Sequence, residues 1–121
     1  MLKIINDLPD NILGISAEGT VTGSDYQTVL IPAVEKKLKT NKTIRMIYQL
    51  GPGFKEFDLA ALADDAEVGL AHLTAWDKVA MVSDHPMINT FTKFFGYLLS
   101  CEVRIFKNDK FEAAKKWVIE K

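Results

Sequence analysis

The chain has 121 residues, a length at which two independent cores would each be marginal, so one domain spanning 1–121 is expected. Apolar residues make up 48% and charged residues 26%, an ordinary globular balance that excludes extensive disorder. Lys and Arg number 15 and Asp and Glu 16, a formal charge of -1, which gives no broad basic field and excludes nucleic acid as an expected partner.

A single cysteine, Cys101, cannot form an internal disulfide, so a reducing, cytoplasmic setting is expected. A lone thiol is also a poor metal site. The opening residues Met1 to Asp7 lack a signal-peptide pattern, and no apolar run reaches bilayer length. Contact with a membrane, if made, would be peripheral and on its inner face.

Leu2 to Ile5 and Ile12 to Ala17 read as two short strands joined by the turn-forming run Asn6 to Asn11, an antiparallel hairpin. After Gly19 the spacing of Tyr26, Val29, Leu30, Ala33, Val34 and Leu38 is helical. Thr22 and Asp25 form a capping box, and Pro32 should kink the helix by removing one of its hydrogen bonds. Ile44 to Leu50 is a third strand, expected to end at Gly51-Pro52-Gly53. Asp58 is a candidate N-cap for a helix whose inward stripe is Leu59, Leu62, Ala63, Ala66, Leu70 and Leu73.

Lys78 to Val82 is continuously apolar after Lys78, as in a strand covered on both faces, and is expected to lie at the centre of the sheet. Asp84-His85-Pro86 opens a third helix, with Asp84 as its cap and Pro86 at the first helical position. Cys101 to Phe106 alternates as an outer strand does, and Asn108 or Asp109 can cap a last helix with Phe111, Ala114, Trp117 and Val118 inward. The order β-β-α-β-α-β-α-β-α predicts an α/β fold with a five-stranded mixed, mostly parallel sheet, one antiparallel edge and four main helices.

Gly19 to Tyr26, Ile44 to Tyr48, Lys78 to Asp84, Glu102 to Phe106 and Ala113 to Trp117 together resemble the SpoIIAA-like proteins, small relatives of the STAS domain whose architecture has been compared with the CRAL-TRIO lipid-binding fold. The resemblance spans essentially the whole chain and implies the STAS-like architecture. It also implies binding of a small molecule or lipid, with peripheral membrane association and no established chemistry. In the sporulation anti-anti-sigma factors a serine at the start of the second helix is phosphorylated and controls partner binding. Here the interval from Leu50 to Leu73 contains neither Ser nor Thr, so that switch cannot operate.

Open α/β sheets bind ligands beyond the carboxyl ends of their parallel strands. Two segments leave such ends: Gly51 to Phe57, read as a loop carrying two aromatic rings, and Ser83-Asp84-His85. Gly51, Gly53, Ser83 and His85 are therefore expected to orient the polar head of a ligand whose apolar part lies on Phe54 and Phe57. Ser83, Asp84 and His85 do not form a triad, because consecutive residues leaving a strand point in different directions. His72 has no second ligand at metal-motif spacing, and Asp64, Asp65 and Glu67 read as a solvated helical face.

In the third helix Met87, Ile88, Phe91, Phe94, Phe95, Leu98 and Leu99 cover an arc of roughly 140°, wider than one sheet contact needs. Phe91, Phe94, Phe95, Leu98 and Leu99 are expected to meet a membrane surface, a partner or a second copy in a homodimer. The expected function is a non-enzymatic binding module for a small apolar or lipid-like ligand, without cofactor or metal. The alternative is a STAS-type protein-interaction module lacking the serine.

Overall fold

The computed structural model describes residues 1–61, 63, 75–86, 88, 89, 92 and 101–120. Strands β1 (Leu2–Ile5), β2 (Ile12–Val21), β3 (Ile44–Phe57), β4 (Trp76–Val82) and β5 (Glu102–Phe106) form one sheet in the order β1-β2-β3-β4-β5. β1 is antiparallel to β2 with Leu2 opposite Ala17 and Ile5 opposite Gly14, and every later neighbouring pair is parallel. This is the expected mixed sheet with one antiparallel edge. In the hairpin loop Asp7 adopts φ 66°, a left-handed conformation that Asp tolerates better than branched residues.

Side-chain alternation along the strands divides the interior into two cores, one on each face. Leu13, Ile15 and Ala17 of β2 join Met46, Tyr48 and Leu50 of β3 on the first face. There they are covered by α1 (23–38), which contributes Tyr26, Leu30 and Val34. Ile12, Ile47, Ala80 and Val82 lie on the second face beneath α2 (Phe111–Ile119), which contributes Ala114, Trp117 and Val118.

The start of α1 is the expected capping box: Thr22 Oγ1 accepts the Asp25 backbone N–H at 3.2 Å, and the Asp25 carboxylate accepts the Thr22 backbone N–H at 2.9 Å. The effect of Pro32 is met by a widened turn. Tyr26–Leu30 is π-helical, closed by Ile31 N–H to Tyr26 C=O, before the α-helical Ile31–Leu38. Widening this turn frees the carbonyls that an interior proline ring would otherwise crowd. At the other end of the chain the last carbonyls of α2 are gathered by cations from the sheet. Arg45 donates to Val118 O at 2.9 Å and also to Glu120 O, while Lys78 donates to Trp117 O at 3.1 Å and Glu120 O at 2.8 Å. Lys78 and Arg104 also lie 4.9 and 5.0 Å from the Trp117 ring, so positive charge meets both an aromatic face and the negative end of the helix.

The structure corrects several expectations. β2 continues past Ala17 to Val21, and β3 does not stop at Gly51-Pro52-Gly53 but runs on to Phe57. With Ala17 opposite Leu50 and Gly19 opposite Phe54, Gly51, Pro52 and Gly53 bulge out opposite Glu18 alone. Gly19 takes φ +60° there, and β4 has already parted from β3 at the pair Gln49 and Val82. Pro52 therefore interrupts no ladder on the β4 side, the condition under which a sheet accepts proline.

β3 holds the middle of the sheet, and β4 is next to the edge strand β5. Apolar continuity marks a strand covered on both faces without ranking its position in the sheet. Of the four expected helices, the first and last are described in full. The other two are represented by helical residues from Leu59 and from Pro86. Asp58 caps the former through Ala61 N–H at 2.7 Å. Leu59, expected inward, is 86% exposed and Ala63 is exposed too, while Ala61 is buried. The cap rotates the first turn so that Ala61 faces the core. Leu62, Ala66, Leu70 and Leu73 lie outside the described residues.

Gly14 permits the close approach of the β1 side of the hairpin: a Cβ there would stand 2.8 Å from Ile5 Cβ and 2.5 Å from Leu8 Cδ1. Gly14→Ala is expected to lower stability by about 1–3 kcal/mol through overpacking, read as a lower midpoint in urea. Leu8→Ala should restore only part of the loss, because Ile5 Cβ is fixed to the backbone. Asp25 supplies a pH test. Its bonds from Thr22, with a further contribution from the Met1 ammonium 3.4 Å away, hold its carboxyl below the ordinary carboxylate range. A depressed folded-state value stabilises above the ordinary range and is lost as pH falls through the lowered one. Asp25→Asn should therefore flatten the acid side of the thermal-midpoint profile below about pH 5.

Candidate functional site

The carboxyl ends of β3, β4 and β5 come together at one edge of the sheet. β4 leaves at Ser83, which is fully buried and prolongs the β4–β5 pairing by donating its N–H to Phe106 O at 2.8 Å. Ser83 Oγ accepts the His85 N–H at 3.0 Å, and Ser83 O accepts Asn89 Nδ2 at 3.0 Å. The serine is thus consumed in shaping the turn.

Asp84, expected from sequence to cap the following helix, does not do so. The His85 ring does, with Nδ1 accepting the Ile88 N–H at 3.4 Å, and Pro86 takes the first helical position as expected. The exposed Asp84 carboxylate reaches across to β5, where it accepts the Asn108 backbone N–H at 3.1 Å and Asn108 Nδ2 at 3.3 Å. Asn108 Nδ2 also donates to Leu50 O of β3 at 2.9 Å. This explains a second correction: neither Asn108 nor Asp109 caps α2 with its side chain. Asn108 opens a 3-10 turn (Asn108–Lys110) and uses its amide to tie the ends of β4 and β5 to Leu50, midway along β3.

The β3 extension brings an aromatic row to the same place. Tyr26 and Tyr48 share a buried hydroxyl hydrogen bond of 2.9 Å. From Tyr48 the ring centroids step 6.4 Å to Phe57, 4.9 Å to Phe54 and 6.4 Å to His85, all within the range of favourable ring contacts. The expected loop of Gly51 to Phe57 is therefore a bulged strand. Phe54 and Phe57 pack, half-buried, on the core of the first face. Gly51 and Gly53 lie in the bulge, where a Cβ would meet no close neighbour. Of the sequence-expected positions, Phe54 and His85 are in ring contact and Ser83 adjoins them.

Asn89 and Asn108 were not singled out as site residues from sequence. Asn108 lies just beyond the carboxyl end of β5, the kind of position at which open α/β sheets place ligand-binding residues. Asn89, four residues after His85, had no signal beyond its place on the opening helical turn. Phe91, Phe94, Phe95, Leu98 and Leu99, as well as His72, Asp64, Asp65 and Glu67, lie outside the described residues. Burial raises the Cys101 thiol above its ordinary value, with Asp77 and Glu102 adding to the effect, so it is a poor nucleophile. Among the described residues no helix is long and apolar enough to cross a membrane, and no group of His, Cys, Asp and Glu is arranged to hold a metal.

Residues 12–119 match the SpoIIAA-like family profile. The chain belongs to the SpoIIAA-like family. Its structure is similar to the crystal structure of an uncharacterized protein with a SpoIIAA-like fold from Shewanella loihica PV-4. The TM-score is 0.78 and the identity 23%, over 98% of this chain and 92% of that one. No curated protein matches the chain. At that identity the crystal structure shares the fold and nothing finer is transferred. The SpoIIAA-like fold is the STAS type of regulatory and interaction modules, and here its strand ends are tied by an asparagine.

If Asn108 is the tie, charge at that position should matter more than size. Asn108→Ala is expected to cost about 1 kcal/mol by removing the donor to Leu50 O and Asp84. Asn108→Asp should cost more at neutral pH, since it turns an acceptor toward the Leu50 carbonyl and a second carboxylate toward Asp84. Urea midpoints of the two variants check the order.

Proposed function

We propose that this SpoIIAA-like domain is a non-enzymatic recognition module that takes a small amphipathic molecule, apolar or lipid-like in its body, at the carboxyl ends of β3, β4 and β5. One observation carries the reading: the aromatic row ends at His85, next to the place where polar groups following β4 and β5 meet the Leu50 carbonyl of β3. The rings of Phe54 and Phe57 supply apolar contact, and the adjoining side chains supply orientation, the usual division of labour in a small-molecule site. The same geometry supports binding without catalysis. Ser83 Oγ is occupied by a backbone N–H and His85 Nδ1 by another, so hydroxyl and imidazole are not paired as nucleophile and base.

A second reading, recognition of a protein as in STAS-type modules, is favoured by Leu59. This large apolar side chain stands 86% exposed on the turn capped by Asp58.

Native mass spectrometry of the freshly purified protein separates the two. A retained small-molecule mass is expected, reduced in Phe54→Ala and Phe57→Ala. Core Phe→Ala changes cost about 3–5 kcal/mol; these half-buried rings should cost less, so the variants remain folded. Retention unaffected by both substitutions would overturn the ligand reading. A retained protein mass lost on Leu59→Asp would establish the second.

A further inference from the structure

The hydrogen-bonding groups around the strand ends are unevenly used. Nearly every described donor is already committed. The N–H groups of Ser83, His85, Ile88, Asn89 and Asn108 donate to Phe106 O, Ser83 Oγ, His85 Nδ1, His85 O and Asp84 Oδ1 respectively. Pro86 has no N–H to give, and both asparagine Nδ2 groups donate to backbone carbonyls. Acceptors are in surplus. Asn89 Oδ1 and Asn108 Oδ1 are shielded from water and have no partner among the described residues, and the Asp84 carboxylate is exposed beside Asn108.

The Asn89 and Asn108 oxygens are closed to solvent, so the acceptor open to a ligand is the Asp84 carboxylate. The helix opening at Pro86 is consequently a poor anion site. Its first N–H groups are absent or used, and the charged side chain in hydrogen-bond contact with the cluster is the Asp84 carboxylate. With Nδ1 accepting from Ile88 N–H, the neutral His85 ring carries its proton on Nε2, leaving one donor on the exposed side.

We propose that the head group recognised here is a hydrogen-bond donor, an ammonium or a hydroxyl, and not a carboxylate or phosphate. The proposal rests on the crevice reading above and specifies its ligand class. An ammonium donates to the exposed Asp84 carboxylate; a hydroxyl donates to it and accepts from His85 Nε2–H. Lys55 and Lys107, exposed next in sequence to Phe54 and Asn108, donate no hydrogen bond to these oxygens among the described interactions. They are the groups through which an anion would compete.

Octylamine, 1-octanol and octanoate, titrated into the full chain at neutral pH, share one apolar tail and differ in the head. The readout is the side-chain amide resonances of Asn89 and Asn108. Saturable shifts are expected with the amine and the alcohol, the amine binding about tenfold more tightly than octanoate, the worth of one charge-assisted hydrogen bond. Asp84→Asn should erase most of the amine's advantage over octanoate. An amine preference untouched by Asp84→Asn would come from general charge attraction and would overturn the assignment. Octanoate binding as tightly as octylamine, with the same resonances shifted, overturns the donor head while leaving the crevice in place. If none of the three probes shifts these resonances, the crevice reading fails as well.

Discussion

The geometry of the site depends on the bulge that sets Gly51, Pro52 and Gly53 against Glu18. A parallel strand that ended with its neighbour would leave a loop free to point anywhere. Because β3 instead stays paired to β2 after β4 has turned away, Phe54 and Phe57 are held on a strand, over the place where β4 and β5 finish. The bulge also reconciles Pro52 with a central strand. The proline sits where β3 has no β4 partner, and the extra residues are absorbed locally without shifting the register that keeps Met46, Tyr48 and Leu50 on one face.

Around that extension the polar groups do structural work before they are available for recognition. Ser83 shapes the turn, His85 caps a helix, and Asp84 and Asn108 join β4 to β5 while Asn108 reaches β3. The acceptors left over are the Asn89 and Asn108 side-chain oxygens and the exposed Asp84 carboxylate. The second face is fastened differently, by Arg45 and Lys78 on the closing carbonyls of α2 and by cations over Trp117. Positive charge thus collects at the opposite end of the sheet, since Arg45 and Lys78 stand near the starts of β3 and β4.

The candidate site was partly legible. Phe54 and His85 could be brought together from sequence because the carboxyl ends of neighbouring parallel strands must lie side by side. The partners of Asp84 could not. A carboxylate just before a His-Pro pair satisfies the usual description of a helix cap, and only the position of β5 shows that Asn108 offers it two donors while the His85 ring caps instead. Asn108 is separated from Leu50 by most of the second half of the chain, and no local pattern connects them. Leu59 failed for a related reason: helical spacing defines a stripe, but the direction of that stripe is set by how the Asp58 cap places the first turn against the sheet.

What the sequence by itself determined was the alternation of strands and helices, the antiparallel hairpin at the start, the capping box at Thr22 and Asp25, and the family. These are local in origin: side-chain period, turn chemistry and the needs of free N–H groups act over a few neighbouring residues. Tertiary structure alone decided that β3 occupies the middle, that a Gly-Pro-Gly run remains in the sheet, and which carbonyl each asparagine meets. Those outcomes depend on which strand is absent from one side at a given level, and pairing between distant segments carries no signature within either segment.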